Sequence, residues 1–475
     1  MKAFLVLGIV FLVIVSCERD FVFRGGGEGL SFSDDTVMFD TIFTTIGSTT
    51  KRLRVYNPYS EDMIVDAISL AGGEKSNFRI NINGYEQSEL ANVRLRSRDS
   101  MFIFVEVTVD RGDVNTPFIV SDSIMFYTDS KIQKVNLIAY GQDFVLLRKK
   151  TLKTQTFTND KPYLVYDYLV VDSFQTLTIE PGTHIHFYND ASFLVLGSLV
   201  CQGTLANPIV FSGSRLETDY KDVPGQWGYV RFYPGSKNNV LDYTNIRNGL
   251  MGIWADSVGI GNDAPLIISN SKIEHVSSIG LLAENSKIVA SNSLFGDCGR
   301  HSVALTVGGF YEFYHCTLAN YDFDYVSRNT PALLLNNYYV DSKSNVTHII
   351  PLQKALFANC IVYGKISSEI GFDFKIPDGD KTGLTTNYLF DHSVIKIDSK
   401  TVASESSRFK DVIVNKDPKF KSYKKYDYQL DTLSVAKDAG LVSYGILYPK
   451  DYSGVSRIKD TDIGPDVGMF ERLEK

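Results

Sequence analysis

A repeated four-residue pattern constrains the fold of this 475-residue chain more than any other feature. Successive copies are 27, 22, 23, 44 and 33 residues apart, and we interpret the interval of 44 as two turns with one degenerate copy between them. A period in the twenties that is rich in β-forming residues predicts a solenoid, in which each turn buries its apolar side only by stacking on its neighbours. The copies are Tyr243-Thr244-Asn245-Ile246, Asn270-Ser271-Lys272-Ile273, Asn292-Ser293-Leu294-Phe295, His315-Cys316-Thr317-Leu318, Asn359-Cys360-Ile361-Val362 and His392-Ser393-Val394-Ile395.

Each position of the pattern has its own residue type. The fourth position is always apolar, and so is the position five residues before it, so both are predicted to line the core. The second position is always Ser, Thr or Cys, which suits an inward site with little room. The first is mostly Asn or His, as expected if side chains hydrogen-bond along a stack at a corner. Two turns would separate Cys316 from Cys360 by roughly 9.6 Å, so no disulfide is expected between them.

The region before the repeat has a different pattern. From about Thr36 to Gln142, short alternating strands are separated by turn residues, which indicates an N-terminal β-sandwich. We therefore predict an all-β chain, with a β-sandwich over residues 34–147 and a parallel β-helix over residues 148–475. The predicted sandwich strands are Val37 to Phe43, Lys51 to Tyr56, Met63 to Leu70, Met101 to Val109, Ser123 to Tyr127 and Val135 to Tyr140.

The first residues predict a lipoprotein signal peptide over residues 1–17. Lys2 precedes an apolar run, and Ile14-Val15-Ser16-Cys17 fits the lipobox at which bacteria lipidate a cysteine. The run is shorter than the roughly 20 residues that span a bilayer, so Cys17 is predicted to be the membrane anchor. Residues 18–33 read as a flexible tether. Because Glu18 rather than Asp follows the cysteine, we expect an outer-membrane lipoprotein, periplasmic or surface-exposed.

Composition excludes some classes of partner. Lys and Arg total 48 and Asp and Glu 55, and the net charge of −7 argues against nucleic-acid binding. The cysteines after Cys17 do not form the close pairs of a zinc or redox site. No cofactor is predicted, although calcium is compatible with the acidic residues considered below.

Further segments carry a resemblance to a known family. Leu177-Thr178-Ile179-Glu180-Pro181-Gly182-Thr183 and the later Gly203-Thr204 continue the repeat upstream, and Asp417-Pro418-Lys419-Phe420 looks like a closing segment. With an immunoglobulin-like module before it, the chain resembles the right-handed parallel β-helix lipoproteins of Gram-negative envelopes. The resemblance implies a fold and leaves the activity open, because this architecture hosts lyases, hydrolases, adhesins and scaffolds.

A polar column follows the apolar positions of the repeat and supplies the candidate site. It would run about 14 Å along the surface at one residue per turn. Such a column is typical of any water-facing surface, but it could also bind a sugar chain. In a polysaccharide lyase, Asp297, Asp322 or Asp324 could supply calcium ligands, and Arg300, His301 or Arg328 could contact a uronate or act as base. Trp227 could add a stacking platform or simply cover the core. The column is Asn248, His275, Asp297 and Asn320, with Arg300, His301, Asp322 and Asp324 close by.

We conclude that the sequence favours a membrane-anchored surface that binds glycans or partner proteins without catalysis, since no diagnostic catalytic motif is present. A carbohydrate-active enzyme of the polysaccharide lyase type is one alternative. A structural component of an outer-membrane assembly is another.

Overall fold

The fold was analysed in a computed structural model. It describes residues 29–129, 131–321, 325–377, 385–458 and 463–473. The predicted signal peptide, Cys17 and most of the predicted tether lie outside these ranges. The chain is all-β, as predicted, and divides into two compact units between Asp143 and Phe144.

The first unit consists of two five-stranded sheets, and both contribute to one buried apolar cluster that includes Leu53, Ile103 and Phe126. A parallel pair, Thr36–Phe43 with Lys131–Gln142, interrupts the otherwise antiparallel pairing. One sheet contains Ser31–Phe32, Lys51–Tyr56, Ser100–Val107, Phe78–Ile82 and Tyr85–Glu86. The other contains Thr36–Phe43, Lys131–Gln142, Phe118–Thr128, Met63–Leu70 and Glu89–Leu95.

The second unit is dominated by one 26-stranded sheet whose strand pairs are parallel. Strands pair mainly with the third strand further along the chain, which gives three faces per turn and is the pairing of a β-helix solenoid. The first face contains His184–Phe187, Ile209–Gly213, Thr244–Arg247, Lys272–Val276, Leu294–Cys298, Thr317–Asn320, Ile361–Gly364, Val394–Ile395 and Ile413–Val414. The second face contains Ser192–Val195, Val230–Phe232, Ile253–Asp256, Leu333–Asn336 and Ile370–Asp373. The third face contains Gln155–Phe157, Thr176–Ile179, Ser198–Gln202, Val240–Asp242, Leu266–Ser269, Leu352–Ala358, Thr386–Asp391 and Phe409–Lys410.

Four longer strands bend from one face to the next, and short elements lie outside the large sheet. The bent strands are Val145–Leu152 and Tyr163–Val171, from the first face to the second, and Leu281–Ser291 and Val303–Tyr314, from the second to the third. Two antiparallel pairs lie outside it, Tyr338–Val340 with Thr347–Ile349 and Phe420–Ser422 with Asp427–Leu430. The helices within the described ranges are short: α-helices Ser399–Ser404 and Val442–Leu447, and 3-10 helices Gly73–Lys75, Thr218–Tyr220, Ser406–Arg408 and Tyr423–Lys425.

The register of the large sheet confirms the predicted core columns. On the first face, Ile246 pairs with Ile273, and the column continues without a shift through Phe295, Leu318, Val362 and Ile395. All six side chains are fully buried. The second apolar column, on the third face, is aligned in the same way from Leu241 through Ile268, Ala290, Phe313, Phe357 and Phe390.

The first and second positions of the repeat form a corner, as predicted. Every first-position residue has a left-handed backbone, with φ between 42° and 51°, and Asn is among the residues that adopt this conformation most readily. Side chains of this column bond along the stack, because Asn292 Nδ2 donates to Asn270 Oδ1 at 3.2 Å. At the second position, the Ser271 amide donates to Ser293 Oγ at 3.1 Å. The left-handed residues are Tyr243, Asn270, Asn292, His315, Asn359 and His392.

The interpretation of the 44-residue interval is wrong. Phe313 pairs directly with Phe357, so Cys316 and Cys360 lie on adjacent turns, and the Cys316 amide donates to Cys360 Sγ at 3.4 Å. Both cysteines are buried and free. The extra length is two longer loops within one turn, before and after Leu333–Asn336, the second of which carries the antiparallel pair Tyr338–Val340 and Thr347–Ile349.

Candidate functional site

The C-terminal segment, residues 420–458 and 463–471, covers the outer side of the first face. Five side chains of the first face point away from the solenoid core. They are nevertheless buried, in a separate apolar cluster with Phe420, Tyr428, Leu430, Val467 and Met469 of the C-terminal segment. The segment was expected to close the solenoid, yet it lies along the side of the first face, where its apolar residues exclude water. The covered residues are Leu294, Ala319, Ile361, Tyr363 and Val394.

Polar contacts fix this segment across several turns. Arg457 is fully buried, and its guanidinium donates to Asn292 Oδ1 at 3.0 Å and to Glu471 Oε1 at 2.7 Å. The Tyr444 hydroxyl donates to Asp391 Oδ2 at 3.0 Å. Asn292 and Asp391 lie several turns apart, so the contact extends along the solenoid.

The predicted polar column therefore lies in the interior. Asn248, His275, Asp297 and Asn320 are at most 3% exposed, so the expectation of an outward surface is wrong for them. The first three occupy a second left-handed corner, with φ of 66°, 53° and 52°. Asn320 Oδ1 accepts from the Cys298 amide at 2.9 Å. Asn248 Nδ2 donates at 2.9 Å to the carbonyls of Lys221 and Val223, which belong to the loop of residues 214–229, called the covering loop below. These two residues have structural roles.

His275 and Asp297 belong to a compact polar cluster with Glu274. One ligand-type atom from each of the three side chains lies within 4.8 Å of the others. The Tyr428 hydroxyl donates to Asp297 Oδ1 at 2.5 Å, and the ring of Tyr426 meets the His275 ring edge-on at 4.4 Å between centroids. Among the residues that the structure describes, none forms a hydrogen bond with the buried Oδ2 atom of Asp297.

Burial and neighbouring charges shift the pKa values of the residues in this cluster. Burial raises the pKa of Asp297 well above its usual range, and the carboxylates of Glu274 and Asp222 add to this shift while the Tyr428 hydrogen bond opposes it. Burial also acts to raise the pKa of Glu274, but nearby positive charge, first that of His275, outweighs it and the pKa is lowered. Three groups with shifted pKa values in one enclosed place mark a candidate functional site.

A salt bridge borders the cluster on the side of the covering loop. Arg247 pairs with Asp222, whose Oδ1 atom lies 3.7 Å from His275 Nε2. Burial lowers the pKa of His275, while the negative charges of Glu274 and Asp222 oppose this shift. His275 therefore lies between two acidic groups in a place with little water.

The other predicted site residues are not brought together. Trp227 is 1% exposed, stacks on Phe187 at 4.3 Å and donates to the Arg247 carbonyl at 2.7 Å, so it covers the core and offers no stacking platform. His301 is buried, with Nδ1 2.7 Å from the Pro331 carbonyl oxygen. Arg300 is exposed. Asp322 and Asp324 lie outside the described residues.

A cavity of about 370 Å³ opens at a different place, the corner between the second and third faces. The sequence analysis did not single out this region, although positive-φ glycines such as Gly261 and Gly309 mark it. It spans several turns, and its walls combine backbone with amide, amino and aromatic groups. The lining residues are Gly259, Ile260, Gly261, Asn285, Ser286, Lys287, Gly309, Phe310 and Gln353.

Cationic groups surround the aromatic ring of this cavity. The Phe310 ring lies 5.9 Å from Lys287 Nζ and 5.4 Å from Lys354 Nζ. Lys354 also pairs with Glu312. The cavity thus offers hydrogen-bond donors and a ring, with positive charge at its edge.

A partly exposed ladder of side chains lies on the adjoining second face. The Arg231 guanidinium lies 3.7 Å from the Trp254 ring centroid, and the Trp254 indole donates to Glu284 Oε2 at 2.6 Å. Arg231 also pairs with Asp256 at 3.0 Å. Glu284 directly precedes the cavity residue Asn285, so the ladder ends next to the cavity along the chain.

Within the described ranges, no helix has the length and apolar character needed to cross a bilayer.

Comparisons with known proteins name no family. No family model and no curated protein matches the chain. Among solved structures, 26% of it is similar to 30% of a family 123 glycoside hydrolase from Clostridium perfringens, studied for glycolipid glycan hydrolysis, at 9% identity and a TM-score of 0.19. Also 26% of the chain is similar to 60% of a Porphyromonas gingivalis protein of unknown function, at 14% identity and a TM-score of 0.18. A PapD-like domain of human CEP192 matches 26% of the chain over 96% of its own length, at 8% identity and a TM-score of 0.18. The chain spans less than a third of the first of these, and scores this low carry no argument.

Proposed function

We propose that this protein is a non-catalytic, glycan-binding lipoprotein of a bacterial outer membrane. Its lipidated Cys17 holds it to the membrane, a β-sandwich acts as a spacer, and a right-handed parallel β-helix presents the binding surface. The ligand occupies the cavity at the corner between the second and third faces. Its edge continues over the Trp254 ladder.

The cavity is the observation that carries this proposal. At about 370 Å³ it falls within the range of roughly 300–1,000 Å³ typical of small-ligand sites. Sugar hydroxyls need both donors and acceptors, which Asn285 and Gln353 provide through their amides. The Phe310 ring offers an apolar face for a sugar ring, and Lys287 favours an acidic sugar.

The anchor and the location rest on the N-terminal sequence. The lipobox Ile14-Val15-Ser16-Cys17 supports lipidation, and Glu18 supports transfer to the outer membrane. Labelling cells with a fatty acid analogue tests this part directly. We expect label in the wild-type chain and none in Cys17→Ala, and label in both would contradict the anchor.

A polysaccharide lyase built on Asp297 and Arg300 is less well supported. Asp297 is enclosed beneath Tyr428, whereas Arg300 is exposed. A sugar chain that contacts Arg300 from solvent would not reach the Asp297 carboxyl in this arrangement. Release of an unsaturated uronate, read by its ultraviolet absorbance, would reinstate the lyase.

An array of bacterial and host polysaccharides tests the binding proposal. We expect the full chain, purified in detergent, to bind a defined glycan, and Phe310→Ala to weaken that binding at least about tenfold, equivalent to ~1.4 kcal/mol. Lys287→Met should weaken binding of acidic glycans most.

Matched controls come from exposed residues elsewhere in the chain. Phe174→Ala and Lys131→Met replace exposed side chains that do not line the cavity, so they should leave binding unchanged. An array without a specific hit would overturn the proposal and favour partner proteins. Full affinity in both cavity variants would show that the glycan binds elsewhere.

A further inference from the structure

We infer that Glu274, His275 and Asp297 form a binding site for one divalent transition-metal ion, for which zinc is the best match. This site lies on the covered first face and is independent of the proposed glycan cavity.

The geometry of the three side chains permits a shared ion. Glu274 and His275 are consecutive, and Asp297 lies at the equivalent corner position of the next turn, where Glu274 pairs with Gly296. Their ligand atoms all lie within 4.8 Å of one another. Bonds of about 2.0–2.2 Å in a tetrahedral zinc site place ligand atoms roughly 3.4 Å apart. Binding of an ion would therefore draw the three ligand atoms closer together than they lie in its absence.

An unpartnered buried oxygen provides a second, independent indication. Asp297 is 1% exposed, and none of the described residues hydrogen-bonds to its Oδ2 atom. An acceptor left in this state costs free energy, and a cation would remove the cost. The Tyr428 hydroxyl meanwhile holds Oδ1 of the same carboxylate. Such an outer hydrogen bond commonly orients a carboxylate ligand toward its metal.

Charge balance points the same way. Two carboxylates in one enclosed cluster repel each other. Lys272, Arg247 and Lys221 place positive charge near Glu274, but Arg247 is already paired with Asp222. A divalent cation offsets the charges of Glu274 and Asp297 together. Glu274 is half-buried and the side chain of Asp222 is 31% exposed, so an ion can approach from that side.

The donor set selects the class of metal. Calcium takes six to eight oxygen ligands, whereas this cluster supplies two carboxylates and an imidazole. Mixed nitrogen and oxygen donors suit zinc and its neighbours in the first transition row. Three protein ligands leave one coordination position, which a water molecule or Asp222 can fill.

Calorimetric titration of the full chain with zinc chloride, after treatment with a chelator, tests the inference. We expect one equivalent of zinc to bind per chain. When cobalt(II) is added in place of zinc, we expect the visible absorption of a four-coordinate cobalt site. Glu274→Gln and Asp297→Asn should each weaken zinc binding at least about 100-fold, because each removes one anionic ligand. His348→Gln, which replaces an exposed histidine outside the cluster, should leave binding unchanged.

Folding of the variants is checked by circular dichroism and thermal melting. If Asp297→Asn does not fold, the half-buried Glu274→Gln carries the test alone. Absence of stoichiometric zinc binding by the wild-type chain would overturn the inference. So would equal affinity in the wild type and in every folded cluster variant.

Discussion

The first face and the corner between the second and third faces are built from the same turns but differ in what covers them. Leu294, which points outward on the first face, is 1% exposed beneath the C-terminal segment. Leu282, which points outward on the second face, is only half-buried. The comparison teaches that pointing away from a solenoid core is different from facing water. The first face is enclosed by the C-terminal segment, whereas the corner opens to solvent at a cavity.

The largest expected effect is a loss of stability when a buried ion pair beneath the covering segment is broken, compared with a partly exposed pair near the cavity. Arg457→Ala leaves the buried Glu471 without its guanidinium partner, so we expect a loss of about 3–5 kcal/mol in the free energy of unfolding. Lys354→Ala removes a partly exposed pair with Glu312 near the cavity and should cost about 0–1 kcal/mol. Urea unfolding measures both. Equal losses of unfolding free energy in the two variants would show that solvent reaches the Arg457–Glu471 pair.

A second pair of substitutions compares apolar side chains. Leu294→Ala should destabilise the chain by about 2–4 kcal/mol, as in a true core, because the covering segment cannot fully fill the space. Leu282→Ala should cost about 1 kcal/mol or less, since its side chain already meets solvent. The same unfolding measurement applies. A Leu294→Ala variant as stable as the Leu282→Ala variant would mean that the cover packs loosely.

The smallest effect concerns pH. His186 also points outward on the first face, and burial, aided by the charge of His184, lowers its pKa from 6.5 to about 4. Between these values the unfolded chain binds a proton that the folded chain does not, so stability falls as the pH falls. From pH 7 to pH 5 the residue should contribute a loss of about 2 kcal/mol.

Comparing the wild type with His186→Gln at both pH values isolates this contribution, because the other titrating groups are common to both chains. The variant should lose less stability on acidification. His348→Gln, at an exposed position, should behave like the wild type. Identical pH dependence in all three chains would contradict the expected role of burial.

The paired positions of the solenoid could be predicted from sequence because each turn repeats the same local demands. In every turn an apolar residue must fill the core and a small residue must fit beside the corner. The repeat alone therefore predicts that Ile246 lies opposite Ile273, as the structure shows. The 44-residue interval misled the analysis because loops that add the length of one turn leave the same spacing as an extra turn. Only the pairing of Phe313 with Phe357 distinguishes the two.

In the first unit, strands with clear alternation were located to within a few residues, as for Met63–Leu70. Phe78–Ile82 and Glu89–Leu95 were missed. The first is short and ends before Asn83, a left-handed turn residue. The second begins with residues that are largely exposed, so its apolar positions are confined to its end.

The candidate site shows the limit of sequence reasoning most clearly. The register of His275 and Asp297 was correct, but their environment depends on Tyr428, which is 131 residues beyond Asp297. No local pattern reports a contact across that separation. The open cavity was missed because glycines and backbone atoms form much of its wall, and these carry no distinctive side-chain signal.

The long turn between Leu318 and Val362 has a consequence for how such a chain can change over time. These residues pair directly although 44 positions separate them, and Phe313 and Phe357 do the same. The turn therefore holds about twice the usual length while these pairs stay in register, and the register shift on the third face falls between Gly309 and Phe310. Added loop length at these corners is compatible with aligned core columns, so the loops can differ in length and sequence while the stacked framework keeps its register.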